Sequence, residues 1–143
     1  MDFNNGFIPI LEVPSGELFP ESGIVADYAL QVAGPNQGIK LIPDDVVLAS
    51  KMRVKMVKFD SEILKHFFAL YGSRFMSSEF IENFLSLAVP KMEELCAGAG
   101  EDTWLMGTED LTQLDIHCGA MWDFLYIFMK SDAMRDCFDR LDL

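Results

Sequence analysis

In the stretch PILEVPSGELFPESGIVADYAL, residues 9–30, the adjacent Glu21 and Ser22 stand where an apolar, strand-like run gives way to a helical pattern. The first N–H groups of a helix have no partner within it and carry a positive partial charge, so a ligand carboxylate can rest on them. The Ser22 hydroxyl adds a donor to such a carboxylate, and the Glu21 carboxylate can accept from a neighbouring ammonium. The chemistry this pair offers is recognition of a group that carries both charges, as the end of an α-amino acid does. The same residues suit a plainer role, with Ser22 capping its helix and Glu21 as an acid favoured by the helix dipole. On these residues alone both readings stay open.

A second pattern lies in LTQLDI, residues 111–116. Thr112 at a helix N-cap and Asp115 three positions on can each accept a backbone N–H that the first turn leaves unpaired, or satisfy one reciprocally as a capping box, and Leu111 and Ile116 have the spacing of a hydrophobic staple. This predicts a helix from Gln113 to Met129 with Trp122, Leu125, Tyr126 and Phe128 inside. His117 and Cys118 invite a catalytic reading, but neighbouring helical residues point about 100° apart and do not face each other. No catalytic residue is assigned.

The elements that position these groups follow from periodicity. Phe7 to Val13 reads as a strand, Pro14-Ser15-Gly16-Glu17 as a turn and Leu18-Phe19 as a short return strand, together a hairpin. Ile24, Val25, Tyr28, Ala29 and Val32 form one apolar stripe on a helix that Gly34-Pro35 ends. Pro35 to Asp44 has the composition of a linker. Asp45 to Tyr71 carries Val47, Leu48, Met52, Met56, Phe59, Ile63, Phe67 and Leu70 on a broad stripe, a helix of roughly 40 Å. A further helix runs from Ser77 or Ser78 to Leu95 with Phe80, Ile81, Phe84, Leu85, Leu87 and Met92 inside, and Pro90 should kink it. The regularly spaced Met and Phe side chains read as packing.

Composition narrows the functions. The 143 residues are half hydrophobic and carry a formal charge of −12, so the chain reads as globular and repels nucleic acid and anionic lipid, whose binding rests on lysine and arginine. Lys51, Lys55 and Lys58 recur at helical spacing as a solvated face. No apolar run approaches the roughly 18 residues that span a bilayer, and MDFNNGF lacks the order of a secretory signal, which predicts no membrane association and a cytoplasmic location. Cys96, Cys118 and Cys137 lack the close pairing of a zinc site or redox centre; they read as buried, reduced thiols, and no metal is expected.

A strand with Ile-Pro-Ile-Leu-Glu, a hairpin return, Glu-Ser opening a helix, a linker, and helices with a Thr-x-x-Asp box after WLMGTED together resemble the cytosolic glutathione transferases. The resemblance implies an α+β chain: the second half of a thioredoxin-like domain, two strands and a helix, over residues 1–33, a linker over 34–44, and an all-α helical bundle domain over 45–143. It implies that Glu21 and Ser22 hold the γ-glutamyl moiety of glutathione. It places a cis-proline at Pro9, turning the backbone of Ile8 toward the cysteinyl part of glutathione. It further implies glutathione as substrate, small electrophiles as co-substrates and a homodimer of the complete protein.

The chain departs from the family at one important point. The glutathione thiolate is normally stabilised by a Tyr, Ser or Cys near the end of the first strand of the thioredoxin-like domain, and here the sequence starts at what would be the third strand. MRDCFDRLDL looks like the start of a further helix, so the chain reads as truncated at both ends, with class unassigned. The alternative to a transferase is a non-catalytic interaction module that uses the same fold as a scaffold.

Overall fold

The computed structural model describes residues 8–34, 38, 40–72, 78–130 and 139. Cys137 and nearly all of MRDCFDRLDL lie outside them. The architecture is α+β, and the chain divides into two compact units, residues 1–38 and 39–143.

In the first unit, β1 (Ile10–Glu12) and β2 (Leu18–Pro20) pair antiparallel, with Ile10 opposite Pro20, Leu11 opposite Phe19 and Glu12 opposite Leu18. Residues 13–17 join them, with 14–16 as a three-residue loop inside the Val13–Glu17 hydrogen bond. Val13 N–H donates to the Glu17 carbonyl at 3.0 Å and Gly16 N–H to the Val13 carbonyl at 2.8 Å. Pro14 presets the first turn residue, and Gly16 adopts φ +84°, which its missing Cβ permits. Helix α1 (Ser22–Ala33) follows and ends at Gly34, whose N–H donates to the Leu30 carbonyl. Of its predicted stripe, Val25 and Tyr28 are half-buried, with the Tyr28 ring centroid 5.6 Å from that of Phe19, while Ile24, Ala29 and Val32 remain exposed. Val13 is the buried hydrophobic side chain among the described residues of this unit.

The second unit is helical. The long predicted helix is α2 (Val46–Lys58), a π-helical stretch (Phe59–Leu64) and α3 (Lys65–Gly72). Asp45 caps it by accepting from Leu48 N–H at 2.7 Å. The next is α4 (Ser78–Asn83), a second π-helical stretch (Phe84–Ala88) and α5 (Val89–Cys96). Where the sequence predicts a kink at Pro90, the turn widens just before it, Val89 N–H reaching back to the Phe84 carbonyl. A proline removes one donor and crowds the carbonyl four residues earlier, and a π-turn relieves both. Helix α6 spans Gln113–Met129.

These helices share a core in which Met52, Phe59, Ile63, Phe67 and Leu70 meet Ile81, Phe84, Ala88 and Leu95, and Leu114, Cys118, Met121 and Leu125 from α6. Several expected core residues are elsewhere. Val47, Leu87 and Tyr126 are at least half exposed and Phe80 is also exposed, because each stands a step off the stripe that its helix buries. Trp122 is half-buried, and the Phe128 side chain lies outside the described residues.

Candidate functional site

The hairpin register sets the geometry around Glu21. Because Ile10 pairs with Pro20, the residues just outside the ladder at that end are Pro9 and Glu21, and one step further out are Ile8 and Ser22. The four residues singled out in the sequence thus share one end of the two-stranded sheet. The Ile8–Pro9 peptide bond is cis, and Ile8 is 89% exposed.

Glu21 occupies the N-cap of α1 with φ +75° and ψ 123°, and it is the non-glycine residue with positive φ among those described. A side chain held in this region costs on the order of 1–3 kcal/mol, a cost that concentrates at functional positions. The Glu21 carbonyl accepts from Val25 N–H at 3.0 Å, yet its side chain makes no capping bond. Ser22 is the first residue of the helix rather than its cap, which removes the plain capping role considered for it. Among the described residues, and apart from its chain neighbours and the backbone of its own turn, no atom lies within 4 Å of where a Gly23 side chain would begin.

Electrostatics select the kind of ligand. No lysine or arginine precedes Lys40, and the charged side chains of the first unit, Asp2, Glu12, Glu17, Glu21 and Asp27, are all acidic. A simple anion gains from the helix terminus but loses to these carboxylates. A ligand that adds an ammonium beside its carboxylate turns Glu21 from a repulsive neighbour into a partner.

The Thr112–Asp115 pair forms a buried polar knot. The Asp115 carboxylate accepts from Thr112 N–H at 2.8 Å, from the Thr112 hydroxyl at 2.6 Å and from Leu105 N–H at 2.8 Å. This is one arm of a capping box, because the Thr112 hydroxyl donates to the carboxylate instead of accepting from the backbone. Ile116 stays 51% exposed, so the expected staple buries little. Lys55, read from sequence as part of a solvated face, instead donates to the Leu105 carbonyl at 2.8 Å and the Leu95 carbonyl at 3.3 Å, while Lys51 and Lys58 are exposed. The only sequence signal for this was a cation able to meet the C-terminal carbonyls of another helix, which spacing along α2 does not reveal.

His117 and Cys118 point apart. His117 Nε2 lies 2.7 Å from Asp60 Oδ1, its ring edge-on to Phe59, whereas Cys118 is fully buried in the core. Burial, with the nearby Asp115 carboxylate, pushes the Cys118 thiol up to about 12, so it is not a nucleophile near neutral pH. Burial likewise raises the Cys96 thiol, which is partly buried. Among the described residues no group of three or more His, Cys, Asp or Glu side chains is arranged to hold a metal ion. No described helix is long and apolar enough to cross a membrane.

No protein-family model matches the chain. Among curated proteins, it is similar to the glutathione S-transferase-like protein LUC7 of a Fusarium species, 28% identical over 138 aligned residues. The alignment covers 93% of this chain and 62% of that relative, so the chain spans less than two thirds of the relative's length. The similarity supports a glutathione-transferase-like family at a coarse level and assigns no class.

Proposed function

We propose that the chain binds the γ-glutamyl end of glutathione at the start of α1. The ligand carboxylate rests on the first-turn N–H groups and the Ser22 hydroxyl, and its ammonium meets the Glu21 carboxylate. The Ile8 backbone beside Pro9 pairs with the cysteinyl segment. In a chain that also carries a group favouring thiolate over thiol, this binding serves conjugation of the thiol to small electrophiles, with the protein acting in the cytoplasm as a homodimer. The observation that carries the reading is Glu21: it adopts a costly backbone conformation at a helix N-terminus, and its side chain does not cap that helix.

The test is calorimetric titration with glutathione and with glutaryl-cysteinyl-glycine, which lacks the α-ammonium. The native chain should prefer glutathione, and Glu21→Ala should erase that preference by weakening glutathione alone. Equal binding of both ligands by the native chain would contradict the assignment of Glu21.

A further inference from the structure

The first π-helical stretch and α5 do not close completely against each other. Between them lies a cavity of about 100 Å³ whose walls include Phe59, Ile63 and Leu95, all three buried. Phe59 and Ile63 stand on the π-helical turns themselves, a widening of the helix that is frequent at functional sites. A void in a core forfeits the contacts its walls would otherwise make, so an empty cavity here weakens the fold and a fitting ligand restores what is lost. The volume sets the size of that ligand. An apolar cavity of roughly 150 Å³ accepts benzene, so a smaller one with an open mouth suits a single ring or a short hydrocarbon chain.

The mouth carries both signs of charge, and these charges satisfy one another. Lys91 Nζ lies 2.9 Å from one carboxylate oxygen of Glu94 and 3.8 Å from Glu62, while Lys58 Nζ lies 4.0 Å from the other oxygen of Glu94. Two lysines and two glutamates thus make one chain of ion pairs whose formal charges cancel. Lys55 also lines the cavity, but its ammonium donates to the Leu95 and Leu105 carbonyls, which leaves its methylene stem as wall. A charged ligand would have to break one of these pairs or give up its water against apolar walls. A neutral apolar ligand does neither. The four side chains at the mouth are 39% to 59% exposed, so their pairs are weak enough to part as a ligand enters.

We propose that this cavity of the second unit binds a small, uncharged apolar molecule about one ring in size, through residues that take no part in the binding proposed at α1. The test is titration of the methyl-labelled full chain with toluene, benzoate and benzylammonium, which share a ring and differ in charge. Toluene should give saturable shifts at the methyl groups of Ile63 and Leu95 and should bind at least about tenfold tighter than either ion. Leu95→Phe, which fills the cavity from its wall, should abolish the shift at Ile63. Glu94→Gln changes an exposed position and reads out independently should Leu95→Phe not fold. It takes the carboxylate partner from Lys58, so benzoate should bind at least about threefold tighter while toluene binds as before. Binding of either ion as tightly as toluene, or no saturable shift up to the solubility of toluene, would overturn the proposal. So would toluene shifts at Ile63 that persist in folded Leu95→Phe, or a Glu94→Gln chain that discriminates against benzoate as the native chain does.

Discussion

Pro9 and Glu21 stand immediately outside the Ile10–Pro20 pair that closes the β1–β2 ladder, so the cis Ile8–Pro9 peptide and the N-terminus of α1 share one end of a hairpin whose register its three-residue loop sets. In the binding mode proposed above, this relationship brings the Ile8 backbone and the first turn of α1 to one ligand. It also explains why Glu21 rather than Ser22 occupies the N-cap: the chain must turn from β2 into α1 within a single residue.

Glu21 should therefore trade stability for binding. Glycine tolerates positive φ without the clash that a Cβ brings. Glu21→Gly should raise the stability of the first unit by about 1 kcal/mol, read as slower amide exchange in α1, and should weaken glutathione binding. Glu21→Ala keeps the strained backbone and should weaken binding without the gain in protection. A destabilised Glu21→Gly variant would mean that the backbone conformation carries no cost.

The knot at Asp115 should matter more than either group that feeds it from Thr112. Asp115→Ala leaves the Leu105 and Thr112 N–H groups unsatisfied beneath the surface, for a loss of about 2–4 kcal/mol from two buried donors. Thr112→Ala keeps its N–H bond to Asp115 and should cost about 0.5–2 kcal/mol. Chemical denaturation of the two variants checks the order, and equal midpoints would contradict it.

Which parts of this were legible in sequence follows from how local each cause is. The hairpin, the start of α1 at Ser22 and the start of α6 at Gln113 are written in turn and helix-start residues a few positions apart. The π-helical stretches are not, because a shift from four- to five-residue hydrogen bonding reflects packing across helices; only Pro90 hinted at one of them. Lys55 was misread because its two carbonyl partners lie 40 and 50 residues away. Val47 sits in an apolar pattern that cannot say which of two apolar faces enters the core. At the candidate site, Glu21 and Ser22 were legible as residues, but the positive φ of Glu21 was not, since glutamate is not a residue that announces such a conformation.

Cys118 should give the second unit an alkaline weakness. Below about pH 9 the thiol is neutral in both folded and unfolded chains and adds no pH dependence. Above its ordinary value of 9.0 the unfolded chain loses the proton, while the native thiol keeps it up to about 12. The unfolded state then binds fewer protons, so stability falls as pH rises, by about 1.4 kcal/mol per unit across that window. The stability difference between native protein and Cys118→Ala should be flat below pH 9 and shrink above it. A difference that stays constant to pH 11 would contradict the placement of this thiol. Iodoacetamide near pH 8 should likewise leave Cys118 unmodified until the chain unfolds.

The most direct test of the central claim is a two-dimensional amide spectrum of the ¹⁵N-labelled chain titrated with glutathione. Binding at the start of α1 predicts concentration-dependent shifts at the amides of Ser22, Gly23, Ile24 and Ile8, with the amides of Thr112 and Asp115 unmoved, and loss of those shifts in Ser22→Ala combined with Glu21→Ala. Shifts confined to the second unit, or a spectrum unchanged at saturating glutathione, would contradict it.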